Sequence, residues 1–312
     1  MKKTNLIIGI AAAIILASCA KEAEKVSTIT IFPDEAELME GESLELTAII
    51  DPEDAEYGQI NWSSSDASIA TVSSDGTVSG VCAGTVTITA EVDGTSGSAE
   101  ITVEHAGVQL WEYGPYWATY NLGAGKPEDI GQFFSWGNIT GYAPEGLNFS
   151  YTFKKSTYAS TPGADLFEDI PQNAQYDAAI ANWGDNWRMP SMDELNTLLN
   201  FDFSDRTDGG KWVSDYNGSG ISGIIISGTG EYSSRSIFLP AAGYGYGTVL
   251  NNANISGYYW SSSFDDLCFD AKFLTFVKGG GEIPDDTFDV YRYYGYPIRP
   301  VADYAPGLDD IL

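Results

Sequence analysis

Basic residues, histidine and cysteine are scarce in this sequence. Its 312 residues include 15 Lys and Arg against 44 Asp and Glu, with one His and three Cys, and the formal net charge is −29. Such a surface repels phosphate backbones and anionic lipid headgroups, so we do not expect nucleic acid as a partner. Between Lys25 and Lys126 there is no Lys or Arg, which leaves trypsin-like proteases no cleavage site inside that stretch.

The shortage of histidine and cysteine argues against several catalytic classes. The only histidine, His105, lies in a short connection between two segments of different composition. A Ser-His-Asp or Cys-His site in the second segment therefore has no base, and a zinc site of the usual His/Cys type lacks ligands. We expect a protein that is not an enzyme. Cys82 and Cys268 lie in different halves, where two free thiols are a simpler interpretation than a disulfide.

A long apolar run stands at the N-terminus. Lys2 and Lys3 precede the sequence LIIGIAAAIILA at residues 6–17, which is too short for a comfortable membrane span. A positively charged start, an apolar centre and small residues at its end predict a signal peptide over residues 1–18.

A cysteine follows directly at the predicted cleavage site. The sequence LASC, which ends at Cys19, resembles the lipobox of bacterial lipoproteins. The resemblance implies acylation of Cys19, an anchor in outer-membrane lipid and a tether over residues 19–25. The sequence CAKEAEK that begins there resembles the surface-export signal of some lipoproteins, so we expect a surface-exposed outer-membrane lipoprotein. An ordinary signal peptide followed by a chance cysteine is the alternative.

Residues 26–104 alternate between apolar and polar positions, with turn residues at short intervals. Runs such as TITIF and TVTITAEV predict strands with one buried face, and their close spacing predicts an all-β sandwich. The sequence IATVSSDGTVSGVCAGTVTITA at residues 69–90 has a tight turn at Asp75 and Gly76. It closely resembles the bacterial immunoglobulin-like group 2 family. The resemblance implies an immunoglobulin-like sandwich that serves as a stalk, with Trp62 in its core.

After a linker at residues 105–107 the sequence becomes rich in aromatic residues and glycine. Two helices are predicted, one from the spacing in AQYDAAIANWG and one from MPSMDELNTLLNF. Ser191 and Glu194 match a capping box, so we assign Glu194 and its neighbour Asp193 to helix capping and not to a catalytic carboxylate pair. The remaining short strands and loops predict an α+β domain.

Several sequence blocks between residues 108 and 303 resemble the Fibrobacter succinogenes major paralogous domain (FISUMP). They are YWATYNLGA, GQFFSWGN, NWGDNWRMPSMDELNTLL, SIFLPAAGYGYGT, GYYWSSS and YRYYGYPIRPV. The resemblance implies a C-type-lectin-like α+β fold and a role in surface display or adhesion, with a tail at residues 304–312. WRMPSMDEL also resembles the formylglycine-generating enzymes. Those oxidases hold copper with a pair of cysteines, and Cys268 stands alone, so we do not expect that activity.

Two sets of residues are candidates for binding. Aromatic rings stack on the apolar faces of sugars, which favours the loop tyrosines as glycan contacts: Tyr244, Tyr246, Tyr291, Tyr293 and Tyr294. Acidic loops suit calcium, the one metal that we consider, although we favour the interpretation that they are solvated loops: Asp265, Asp266, Asp270, Asp285, Asp286 and Asp289. The block GYYWSSSF at residues 257–264 is interpreted as core, with Tyr258 and Trp260 buried and Tyr259 turned away.

These observations predict a non-catalytic cell-surface lipoprotein that acts in adhesion or ligand binding, with glycan as the leading ligand class. The alternative is a structural or tip subunit of a surface appendage, in which the second domain binds a surface protein.

Overall fold

The computed structural model describes residues 24–149, 168–199, 210–265, 270–278 and 292–305. Within these ranges the chain is mostly β-strand, with two short α-helices. No helix in the same ranges is long and apolar enough to cross a membrane. The strands fall into a first unit, residues 24–104, and a second unit, residues 107–305.

Nine strands form the first unit. They are β1 (Thr28–Phe32), β2 (Glu35–Met39), β3 (Ser43–Glu45), β4 (Thr47–Asp51), β5 (Asn61–Ser64), β6 (Ala70–Val72), β7 (Thr77–Gly80), β8 (Gly84–Val92) and β9 (Thr95–Glu104). One sheet has the order β2-β9-β8-β5, a second the order β3-β7-β6, and β1 pairs with β4. The β2–β9 pair is parallel and the other pairs are antiparallel.

The period-two pattern of the sequence places the apolar side chains inside this sandwich. In β8, Val86, Ile88 and Ala90 are buried, while the threonines between them face outward or are half-buried. Trp62 packs against this core, as predicted. Gly76 has φ +89° in the β6–β7 turn, and a Cβ there would lie 2.6 Å from the carbonyl oxygen of Leu46, so the turn requires glycine.

The second unit has ten strands and two helices in the described residues. They are β10 (Gly107–Gln109), β11 (Tyr116–Ala118), α1 (Ala178–Trp183), α2 (Met192–Leu199), β12 (Lys211–Val213), β13 (Gly223–Ser227), β14 (Ser236–Pro240), β15 (Tyr244–Tyr246), β16 (Val249–Asn251), β17 (Ser256–Asp265), β18 (Asp270–Val277) and β19 (Val301–Ala302). Short sheets have the orders β10-β11-β19 and β12-β13-β14, and two pairs are β15-β16 and β17-β18. The pairing of β11 with both β10 and β19 joins the two ends of the unit.

Both helices begin at the caps that their sequences provide. Asp177 accepts hydrogen bonds from the backbone N–H of Ala179 (2.8 Å) and Ile180 (3.2 Å) at the start of α1. At the start of α2, the N–H of Glu194 donates to the Ser191 hydroxyl (3.2 Å) and the N–H of Ser191 donates to the Glu194 carboxylate (2.8 Å). The predicted capping box is confirmed. The Glu194 carboxylate also pairs with Arg188 (2.6 Å), which gives it a structural role.

The hairpin of β17 and β18 is buried on both faces. Trp260 packs into one core cluster and Tyr259 into another, and neither is exposed. The prediction that Tyr259 turns away from the core is wrong, because α2 and the strands around it cover the second face. Tyr258, predicted to be buried, is only half-buried at the edge of the first cluster.

A fully buried guanidinium connects three segments of the second unit. Arg299 donates to the side-chain oxygen of Asn121 (2.9 Å) and to the backbone oxygens of Ala118 (2.9 Å) and Phe238 (2.8 Å). These three acceptors carry no formal charge. Burial lowers the pKa of Arg299 to about 10, so the side chain is still a cation at neutral pH.

We predict that Arg299→Met destabilises the second unit by about 3 kcal/mol, because three buried acceptors lose their donors. Arg299→Lys recovers only a small part of this loss, since one ammonium cannot reach three acceptors in the plane of a guanidinium. Urea unfolding followed by tryptophan fluorescence measures the difference. Arg235→Met, at an exposed arginine, is the matched control. An Arg299→Met variant as stable as this control would contradict the prediction.

Candidate functional site, a tyrosine cluster

Two glycines bring two tyrosine-bearing segments together in the second unit. Strand β15 carries Tyr244 and Tyr246 on either side of Gly245. The N–H of Gly245 donates to the backbone oxygen of Gly295 (2.8 Å), and the N–H of Gly295 donates to that of Gly245 (2.9 Å). The ring of Phe149 lies against both: a Cβ at Gly245 would be 2.4 Å from this ring, and one at Gly295 would be 2.1 Å from it. Only glycine fits at these positions.

The rings on these segments form a continuous group, which we call the tyrosine cluster: Tyr244, Tyr246, Tyr258, Tyr293 and Tyr294. Ring centroids are 5.2 Å apart for Tyr246 and Tyr294, 5.2 Å for Tyr293 and Tyr294, and 5.1 Å for Tyr244 and Tyr258. These three pairs meet edge to face, which is a favourable arrangement for aromatic rings. All five side chains are half-buried, so each packs on its neighbours while part of it faces solvent.

The cluster rests on a buried aromatic floor. Tyr296 is 2% exposed, and its ring centroid lies 4.3 Å from that of Trp260, 5.1 Å from Phe273 and 5.3 Å from Tyr258. Backbone hydrogen bonds with Phe134 (2.9 and 3.0 Å) fix the backbone at Tyr296. The exposed rings are therefore supported by the core.

Burial changes the acidity of one phenol of the cluster and of the tyrosine beneath it. Burial raises the pKa of Tyr244, and the neighbouring Tyr258 and Tyr246 add to the increase. Burial raises the pKa of Tyr296 as well, again with a contribution from nearby tyrosines. The five members present ring faces and phenol hydroxyls. This chemistry suits stacking and hydrogen bonding to a neutral polyhydroxyl ligand.

The structure brings together four of the five tyrosines predicted as glycan contacts, and Tyr291 lies outside the described residues. Sequence reasoning missed Tyr258 as a member, since it was assigned to the core. It reaches the cluster because Gly257 forms a bridge with Gly243, next to Tyr244. No local pattern in the sequence signals that pairing.

The predicted calcium ligands are only partly described. Asp265, at the end of β17, pairs with Asp270, at the start of β18, and Asp270 is buried. Within the described ranges, no group of three or more His, Cys, Asp or Glu side chains could hold a metal ion. The other four calcium candidates lie outside those ranges: Asp266, Asp285, Asp286 and Asp289. Cys19 and Cys268 lie outside them as well. A calcium site and acylation of Cys19 stay predictions.

Comparison with protein families identifies the first unit. The model of the bacterial Ig-like domain (group 2) matches residues 25–103. This segment is a bacterial Ig-like domain. Its sandwich of short strands, with Trp62 against the core, is the structure that the sequence resemblance implied.

Curated relatives match a similar length of this chain. An alpha-L-arabinofuranosidase of Bifidobacterium longum is 49% identical over 74 residues, which are 23% of this chain and 7% of the enzyme. A 3-O-alpha-D-galactosyl-alpha-L-arabinofuranosidase of the same species is 46% identical over 71 residues, 22% of this chain and 6% of the enzyme. The chain thus spans less than a tenth of the length of either relative.

Among solved structures, domains 4 and 5 of the S-layer protein SbsC are similar to part of the chain. The sequence identity is 23% and the TM-score is 0.23. The match covers 25% of this chain and 51% of the other.

We predict that Gly245→Ala disrupts the tyrosine cluster, because the added methyl group would collide with Phe149 and push β15 away from Gly295. Overpacking of this kind costs about 1–3 kcal/mol. Near-UV circular dichroism reports the tyrosine environment and urea unfolding reports stability. Gly146→Ala is the control, since a Cβ there meets no atom within 4 Å. The prediction fails if both variants give the same spectrum and the same unfolding midpoint.

Proposed function

We propose that this protein is a non-catalytic cell-surface adhesin, in which the Ig-like domain is the stalk and the tyrosine cluster binds glycan. The observation that carries the proposal is the cluster itself. Five half-buried tyrosines share one surface above an aromatic floor, and two glycines that tolerate no side chain hold their segments together. A ring array of this kind matches the apolar faces and the hydroxyl groups of a sugar.

The charge of the chain narrows the ligand class. With a formal net charge of −29, the protein repels uronic acids and sulfated or sialylated sugars over long distances. The five members of the cluster are tyrosines, so none of them supplies a basic group to offset this repulsion. Neutral glycans are therefore the preferred ligands.

Other features support a surface location. Two curated relatives are named as enzymes that act on arabinofuranosides, and the matched segment is a small part of each. This accords with an accessory module in proteins that meet glycans. The lipobox resemblance at Cys19 supplies the proposed outer-membrane anchor, and the FISUMP resemblance supplies a lectin-like fold for the second unit.

A glycan array tests the proposal, using the chain from residue 20 onward, which lacks the N-terminal apolar run. We expect saturable binding to neutral glycans, weakened about tenfold by Tyr246→Ala or Tyr293→Ala, a loss equivalent to 1.4 kcal/mol. The matched control is Tyr113→Ala, which removes a ring that is 92% exposed in the β10–β11 loop, outside the cluster. Repeating the array with a chelator shows whether calcium takes part.

Two outcomes would contradict the proposal. Equal loss of binding in the Tyr113→Ala control would place the site elsewhere. A blank array with a protein that gives a cooperative unfolding transition would favour the structural alternative, in which the second unit binds a protein of a surface appendage, and co-purification would then identify that partner.

A further inference from the structure

A single carboxylate of the Ig-like domain receives hydrogen bonds from three parts of the chain. Glu40 follows β2, and its side chain is 7% exposed. It accepts from the N–H of Ala83 in the β7–β8 loop (2.8 Å), from the N–H of Ala106 in the linker (3.2 Å) and from the phenol of Tyr120 in the second unit. Glu40 thus joins stalk, linker and second unit at one point.

The only histidine of the chain completes this contact. The Nδ1 atom of His105 lies 3.0 Å from the Tyr120 oxygen and 3.3 Å from a carboxylate oxygen of Glu40. Tyr120 has one phenolic proton and donates it to Glu40, so its oxygen accepts and His105 Nδ1 carries a hydrogen. The imidazole stacks on Trp183 of α1, with ring centroids 3.7 Å apart and an angle of 22° between the planes.

The local charges hold the network in this protonation state. Burial raises the pKa of Glu40, but hydrogen bonds from His105, Tyr120 and Ala106 outweigh it, and the pKa lies below its ordinary value of 4.5. Burial, together with the Glu40 charge, raises the pKa of Tyr120 far above its ordinary range. The Cys82 thiol, 3.9 Å from the Tyr120 oxygen, also faces the phenol. At neutral pH the pair is therefore a carboxylate and a neutral phenol.

We propose that Glu40, Tyr120 and His105 form a lock that holds the Ig-like domain and the second unit as one rigid body. Domains joined by a short linker ordinarily move relative to each other. Here such a movement would deprive a buried carboxylate of two of its donors, the Tyr120 phenol and the linker N–H of Ala106, and leave both donors without an acceptor. The lock fixes the direction in which the second unit, and with it the tyrosine cluster, faces relative to the stalk. It does not depend on what that cluster binds.

Backbone ¹⁵N relaxation tests the lock at neutral pH on the chain from residue 20 onward. We expect the amides of both units to give one common rotational correlation time. Glu40→Ala should shorten the correlation time of the Ig-like amides while both units keep dispersed spectra. Glu37→Ala, which removes an exposed carboxylate from β2, should behave as wild type. Two separate correlation times in the wild-type chain, or a single one in Glu40→Ala, would overturn the proposal.

A milder variant keeps the test decisive if Glu40→Ala fails to fold. Tyr120→Phe removes one hydroxyl and keeps the ring, and it should also separate the two correlation times. A single correlation time in this variant would overturn the proposal.

Since His105 is the only histidine, its imidazole signals need no assignment. In mildly alkaline buffer they should report the Nδ1–H tautomer in the wild-type chain, and an Nε2–H tautomer there would contradict the network.

The same lock should open in acid. The pKa of Glu40 is lower in the folded protein than its ordinary value of 4.5. The stabilisation that the Glu40 carboxylate gives to the lock is therefore complete above pH 4.5 and is lost as the pH falls through the lowered pKa. We expect the two correlation times to separate in wild-type protein below this pH and to merge again on neutralisation. A common correlation time that persists through the acid range, with both units folded, would show that Glu40 ionisation does not hold them together.

Discussion

The buried guanidinium of Arg299 is the contact on which the rest of the second unit depends. Its acceptors lie in two segments that are distant from it in sequence: Ala118 and Asn121 in one, and Phe238 in the other. Arg299 also lies three residues after Tyr296, the floor of the tyrosine cluster. A buried cation without a paired carboxylate is costly, which its lowered pKa reflects. The planar fork of arginine offsets that cost because it satisfies several neutral acceptors at once.

The tyrosine cluster follows from this arrangement and from small residues. Once Arg299 positions the segment before it, Gly295 can pair with Gly245 only because neither carries a side chain against Phe149. The glycines let the paired segments approach Phe149 closely, and the tyrosines beside them carry the rings of the cluster. The backbone approaches the core closely on the glycine side, and the larger side chains are directed to the surface.

Local features of the fold were predictable from the sequence, and long-range pairings were not. The alternation of apolar and polar residues in β8 and the capping box at Ser191 each involve only a few neighbouring residues, so both can be recognised in the sequence. The pairing of Gly245 with Gly295 joins residues 50 positions apart and leaves no periodic signal. The same limit explains the error at Tyr259: alternation assigns one buried face to a strand, and only the tertiary structure shows that both faces of β17 are covered.

The sequence indicated which residue type is a candidate for binding, but it did not indicate which tyrosines lie together in the structure. An excess of tyrosine near residues 244 and 293 suggests a surface for sugars, but the same residue type at Tyr113 belongs to no cluster in the described structure. What distinguishes the cluster is the support beneath it, and that support comes from Trp260 and Phe273 on the central hairpin. Sequence alone cannot separate an exposed tyrosine from one that the core holds in place.

In the proposed function, the acidic Ig-like domain and the aromatic second unit perform two different physical tasks. In the Ig-like domain, edge strand β2 exposes Glu35 and Glu37, and neighbouring β9 exposes Glu100. Like charges along a sheet edge oppose pairing with the edge of another molecule, so the domain can stand among copies of itself without aggregating. An acidic sheet edge that repels other molecules does not also provide attractive contacts to a ligand. This accords with the proposal that binding occurs in the second unit, where half-buried rings replace charged side chains.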